Sequence, residues 1–494
     1  ECVAALEAVR EHDLDGDDRG PGPLDVLCQH ILLTACAASP APGPWNVEAA
    51  PQVTVTRKDG RLTVDYVFNR DAVVWAFMDS ALISEVREPW RPRQWTVETP
   101  GVVMERRGHY DIIRSMDGGP VPRHVRFSVT PQAVELEAEY KTLVFSDGAV
   151  ALPTRQMDVF ALGSPEAAEA MPADLNGVDL DGGASRVTWR DLDGPVLFNG
   201  ERHAELTTTG ERSYVLLGQA RVTPGEGLTT VMDPNLPPWI GEKIRDFAPR
   251  VGQFYLQRLG RPGSGGDNPV VMVSWNGPTE RMTSMGGSVL PGLIVMSFEG
   301  TGVTRPTAEM ERVSRWFIGH ESAHFWLGQT VRYEFARDAW ITEGGADLMA
   351  VRALKALDPA YDDRKALQEE VDDCVTLSQG RGVAEAGERG EHRAYYACGA
   401  VFAITAEGAQ KRRDGGDWFG FLRPLLDANR RDGVLSRAEW LNTLTRVSGD
   451  PTLAADIGRM LDQGAADPSA EIAGLFRRAG VPHRVEGGRV ILMN

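Results

Sequence analysis

Apolar and polar residues alternate along the first half of the chain, whereas along the second half apolar residues recur every three or four positions. Val53-Thr54-Val55-Thr56, Leu62-Thr63-Val64-Asp65-Tyr66-Val67-Phe68 and Val125-Arg126-Phe127-Ser128-Val129 each put apolar side chains on one face of an extended segment. Gly, Pro, Asp or Asn bound each run, as turns require. Val134 to Val144 continues the pattern, with Val134, Leu136, Ala138 and Tyr140 on one side. These runs predict an N-terminal antiparallel all-β domain, a sandwich or an open sheet.

The period changes near Pro237-Pro238. Apolar residues at 240, 244, 247, 251, 254 and 255 share one helical face. A Gly-rich turn over 260–266 ends that helix, and 270–275 and 293–298 read as strands. Helices are predicted over 307–329, 338–357, 361–378, 393–410, 417–428, 436–447, 451–462 and 468–478. The fold class is multidomain: a head and linker over 1–45, the β domain over 46–235, and an α+β domain with C-terminal helices over 236–494. The stretch from Ala428 to Glu439 imitates a calcium loop, but Ala428 and Arg430 stand at its first ligand positions. Ser436 and Glu439 read better as a helix capping box.

A net charge of -18 and a pI near 5.1 set the surface against nucleic acid and anionic lipid, so no nucleic-acid partner is expected. No run reaches the 18 or so apolar residues of a membrane helix, so no transmembrane segment is expected. The five cysteines are Cys2, Cys28, Cys36, Cys374 and Cys398. They have no zinc-ligand spacing and are too sparse for a disulfide scaffold, although one bridge is compatible with them. The run from Ile31 to Cys36 is similar to a bacterial lipoprotein processing site, which makes Cys36 a candidate lipid anchor. Gln29, His30 and the acidic stretch over 11–18 speak against it. Localisation is therefore open between exported or lipid-anchored and cytoplasmic, and no pattern bears on the oligomeric state.

The chemistry concentrates in His320-Glu321-Ser322-Ala323-His324, an H-E-x-x-H pattern inside a predicted helix. Residues four apart share a helical face, so His320 and His324 can direct both rings at one Zn2+ ion. Glu321, one step round, can reach water instead of metal and act as general base and acid. A catalytic zinc takes a third protein ligand, and Glu343 follows His324 after 18 intervening residues, near the start of the next helix. Asp347 shares the face of Glu343 and is placed to orient a ligating imidazole.

These residues resemble the M1 family of zinc metallopeptidases, the gluzincin aminopeptidases that include leukotriene A4 hydrolase. Its H-E-x-x-H-x-W-x-G pattern is matched through Trp326 and Gly328, and its W-L-N-E-G motif by Trp340-Ile341-Thr342-Glu343-Gly344. The resemblance implies a thermolysin-like catalytic domain after the β domain. It also implies that Tyr396, in Tyr396-Ala397-Cys398-Gly399, stabilises the oxyanion, with Cys398 where the family has Lys. The Gly-x-Met-Glu-Asn stretch that binds substrate in the family corresponds to Gly286-Gly287-Ser288-Val289-Leu290. Gly286 and Gly287 allow close approach of a substrate backbone.

Val289 occupies the position of the family's amine-binding Glu. Either another carboxylate, Glu280 or Glu299, serves instead, or the substrate has no free amine. The short chain after Tyr396 suggests an open cleft, and His392 reads as an exposed loop residue. The expected function is zinc-dependent peptide hydrolysis, with exo- or endopeptidase action unresolved. The alternatives are hydrolysis of a small-molecule ester, amide or epoxide, or a noncatalytic zinc-stabilised binding protein.

Overall fold

The computed structural model describes residues 50–493 apart from 138, 264–268 and 282. The head predicted over 1–45, with Cys36, lies outside the described residues, as does Ala138. An N-terminal region rich in β-sheet is followed by a mainly α-helical C-terminal region, a multidomain α+β architecture. Gln52–Lys58 and Arg61–Val67 form a hairpin that buries Val53, Val55, Leu62, Val64 and Tyr66. Their six-stranded sheet is antiparallel except where Gln52–Lys58 runs parallel to Arg186–Asp191. Two five-stranded antiparallel sheets, one around Val74–Phe77 and one around Tyr214–Leu217, and a two-stranded sheet of Leu82–Ile83 and Glu88–Pro89 complete the region.

The run 134–144 departs from its expected strand. Leu143–Val144 is a short strand, and Leu136 makes a lone bridge to Ile83. Leu136 belongs to one apolar core, and Tyr140 and Leu143 to the next. The alternation thus serves a segment that crosses between two cores, and its polar positions Glu135 and Lys141 end up beside the second region's sheet.

That sheet contains Val222–Pro224 (β1), Thr229–Met232 (β2), Val270–Trp275 (β3), Ser284–Leu290 (β4) and Leu293–Glu299 (β5), in the order β1-β2-β3-β5-β4. It draws β1 and β2 from before residue 236. Strands β2, β3 and β5 are parallel, and β4 lies antiparallel at the edge. Val271, Val273, Met296 and Phe298 pack with the helices, while Val270, Met272, Leu293 and Val295 pack with the N-terminal region. Both faces are covered, so β3 and β5 read as unbroken apolar runs rather than as alternation.

The helices that frame the site are Pro238–Leu259 (α1), Ala308–Ala323 (α2), Trp340–Leu357 (α3), Asp363–Leu377 (α4) and Arg393–Asp414 (α5). Side-chain caps at Thr307 and Asp362 start α2 and α4. Helix α2 stops at Ala323, short of the predicted 329. His324 is its C-cap and keeps helical angles (φ -66°, ψ -13°), so its side chain stays on the face of His320. Both halves of the Ser436–Glu439 capping box form, which commits Glu439 to a helix start. Among the described residues no helix is long and apolar enough to cross a membrane.

Helices α3 and α5 cross in backbone contact. A Cβ on Gly344 would lie 2.1 Å from the Gly399 carbonyl carbon, and one on Gly399 would lie 2.3 Å from the Trp340 oxygen. A disulfide between the buried Cys374 of α4 and Cys398 of α5 ties the next pair. It closes a loop with a sequence separation of 24. Restricting the unfolded chain by such a loop is worth about 3.5 kcal/mol. Non-reducing peptide mapping should recover these two cysteines as one linked pair. The Cys374→Ser/Cys398→Ser double variant should lose about that stability in denaturant unfolding.

Candidate metal centre

Helix α2 carries His320 and Glu321 in its last turn and His324 at its C-cap, while α3 carries Glu343 and Asp347 one turn apart near its start. Packing of α3 on α2 closes the gap of 18 residues. Glu343 Oε2 lies 3.5 Å from His320 Nε2 and 3.4 Å from His324 Nε2, and the two Nε2 atoms are 3.0 Å apart. All three residues are buried. His320 Nδ1 donates to Asp347 Oδ1 at 2.8 Å, and His324 Nδ1 donates to the Leu327 carbonyl at 2.7 Å. A neutral imidazole has one N–H, so both Nε2 atoms present lone pairs to each other and to Glu343 Oε2. Glu343 Oε2 has no hydrogen-bond partner. With both rings neutral, three such donors repel unless a cation, either a metal ion or a proton shared with Glu343, lies among them.

The donor set fits zinc. Tetrahedral bonds of roughly 2.0–2.1 Å put ligand atoms about 3.3 Å apart, the size of this triangle. The charges agree. Burial alone would lower the pKa of His320, but Asp347, Glu343 and Glu321 lift it to about 10. Burial alone would raise Glu343, but the two imidazoles hold it at about 2, so it is ionised. His320, His324 and Glu343 are the residues that would hold the ion.

Glu321 is buried beside this triangle, and burial pushes its carboxyl up to about 7. Its Oε1 has no hydrogen-bond partner. Strand β4 rests directly on it: a Cβ on Gly287 would lie 2.3 Å from the carboxyl carbon and 2.4 Å from Oε1. Any side chain at this position would have to displace the Glu321 carboxylate.

Tyr396 is also buried. Its ring stacks on His320 with centroids 5.7 Å apart, and its hydroxyl is hydrogen-bonded to Glu343. Burial and the carboxylates of Glu343, Asp347 and Glu321 keep the phenol protonated and able to donate. The Gly344–Gly399 crossing allows this contact, because any side chain there would hold α5 away from α3.

The structure thus gathers His320, Glu321, His324, Glu343, Asp347, Tyr396 and Gly287 at one place, with Gly286 on the neighbouring strand position facing Lys141. His392 differs from its expected exposure. It is half-buried at the start of α5, within electrostatic reach of Glu343 and Arg87. Sequence reasoning missed Arg393, which lies 3.8 Å from the second oxygen of Asp347 and pairs with Glu370 at 2.9 Å and Asp373 at 2.8 Å. Its place one turn before Tyr396 on the same helix was the available signal.

No protein-family profile matches the chain, and no curated protein does. Among solved structures, native yeast leukotriene A4 hydrolase aligns over 86% of this chain and 71% of its own at 13% identity, with a TM-score of 0.47. Its complex with bestatin aligns over 90% and 72%, again at 13% identity and 0.47. A further structure of the Saccharomyces cerevisiae enzyme aligns over 84% and 68% at 13% identity and 0.48.

One zinc ion should bind per chain in a competition titration with a chromogenic chelator. Alanine at His320, His324 or Glu343 should abolish tight binding. Asp347→Asn should weaken it by about 10- to 100-fold. Zinc competes with the proton that His320 holds up to about pH 10. Affinity should therefore fall as pH falls, and calorimetry in buffers of differing ionisation heat should show proton release near pH 7.

Proposed function

We propose that this protein is a zinc-dependent metallopeptidase. The observation that carries the reading is the buried Glu321 carboxylate, with one oxygen unpartnered, beside three convergent donors and a protonated tyrosine. A structural metal site needs no such base. Zinc, when bound, supplies Lewis acidity that polarises a carbonyl and acidifies water.

The chain's own residues supply the rest. Glu321 takes a proton from the attacking water and passes it to the leaving nitrogen, as general base and then general acid. Its raised pKa suits both roles near neutral pH. Asp347 holds the His320 ring in the tautomer that directs Nε2 inward, and the Leu327 carbonyl does the same for His324. Tyr396 donates a hydrogen bond from its hydroxyl to the oxyanion that forms on the attacked carbonyl, keeping its proton. Gly287 lets the β4 backbone approach the reacting group without displacing Glu321.

Glu321→Gln should keep one zinc per chain and lose essentially all turnover of a quenched fluorescent peptide. Tyr396→Phe should lower kcat by about 10²- to 10³-fold with little change in KM, the signature of an interaction made in the transition state. Full turnover by Glu321→Gln would overturn the assignment of the base, and loss of zinc in that variant would reassign Glu321 to the metal.

A further inference from the structure

Asp347 is engaged from two sides. Its Oδ1 takes the His320 Nδ1 proton at 2.8 Å, while its Oδ2 has no hydrogen-bond partner and lies 3.8 Å from Arg393 Nη1. Asp347 is 1% exposed, so bulk water does not screen that second oxygen. The separation of 3.8 Å is too long for a hydrogen bond, and the contact is one between opposite charges. A buried carboxylate depends on such a cation, because water cannot compensate its charge.

Arg393 is itself held in place. Its Nη2 lies 2.9 Å from Glu370 Oε2 and 2.8 Å from Asp373 Oδ2, and its Nε donates to Asp373 Oδ2 at 2.9 Å. Glu370 and Asp373 share a face of α4, since residues three apart on a helix are neighbours. They anchor Nε and Nη2, and Nη1 is the nitrogen nearest Asp347. Helix α3 brings Asp347, α4 brings the two anchors and α5 brings the arginine, so three helices meet at one guanidinium.

The start of α5 does not account for this arginine. Arg393 is the first residue of that helix, and the helix dipole opposes a cation there. The carboxylates that it meets account for its position. One guanidinium also faces three carboxylates, so the cluster stays net negative and Asp347 keeps its pull on the His320 N–H.

Resting on the zinc reading of the site, we propose that Arg393 is a positioning residue of the metal centre. It holds Asp347 against His320 and acts on the ion only through that pair. Support for the metal then runs from Glu370 and Asp373 on α4 through Arg393 and Asp347 to His320 on α2.

The test measures zinc affinity of the full chain by chelator competition, with circular dichroism as a check on folding. Arg393→Met should weaken zinc binding by about 10-fold, and Arg393→Lys, which keeps the charge, should recover most of that loss. In an Asp347→Asn background, Arg393→Met should change the affinity by less than about 2-fold, because the charge it acts on is already gone. Should Arg393→Met fail to fold, Asp373→Asn loosens the same guanidinium from a partly exposed position. It should weaken zinc by about 3-fold, again only where Asp347 is intact. Equal losses with and without Asp347 would make Arg393 a structural residue and overturn the proposal. Unchanged affinity in folded Arg393→Met, or in Asp373→Asn where that variant decides, would overturn it too. A wild-type chain that binds no zinc would overturn the zinc reading itself.

Discussion

Two imidazole lone pairs face each other 3.0 Å apart in a buried site, with a carboxylate oxygen within 3.5 Å of both nitrogens. Only a cation, a metal ion or a proton, makes that arrangement favourable, and much of the surrounding structure serves to impose it. Asp347 and the Leu327 carbonyl take the outer ring protons, which turns both lone pairs inward. The first turns of α3 supply Glu343 and Asp347 together, so one helix delivers both the third donor and the group that orients the first.

Around that centre the helices are held at short range by different devices. Helix α3 meets α5 through Gly344 and Gly399, the closest approach a side-chain-free crossing permits. Helix α4 meets α5 through the Cys374–Cys398 bridge and through Arg393, which reaches Glu370, Asp373 and Asp347. Tyr396 sits between these fastenings. Its contacts with His320 and Glu343 are made within that close packing.

The N-terminal region does more than cover a sheet face. Its segment 134–144 keeps only a lone bridge and a two-residue strand, and it inserts a Lys–Glu pair against β4. The edge strand of the second region's sheet is thus backed by Glu321 on one side and by a Lys–Glu pair from the N-terminal region on the other. A buried ion pair contributes little to stability on average, because desolvating both charges offsets their attraction.

By itself the sequence determined the elements and the donors. Period two against period 3.6 separated the β-rich region from the helical one, and His320, Glu321 and His324 share a helical face by spacing alone. Glu343 and Asp347 followed from the same arithmetic on the next helix. Tertiary structure decided what no local spacing encodes: the Leu327 carbonyl on His324, the contact of Gly287 with Glu321, the Gly344–Gly399 crossing, and the arrival of Lys141 beside Gly286. It also turned the alternation over 134–144 into a crossing segment, because Leu136 and Tyr140 are buried in different cores. Periodicity records which side of an element is buried. It carries no information about which distant segment buries it, and Lys141 reaches Gly286 from a distant segment.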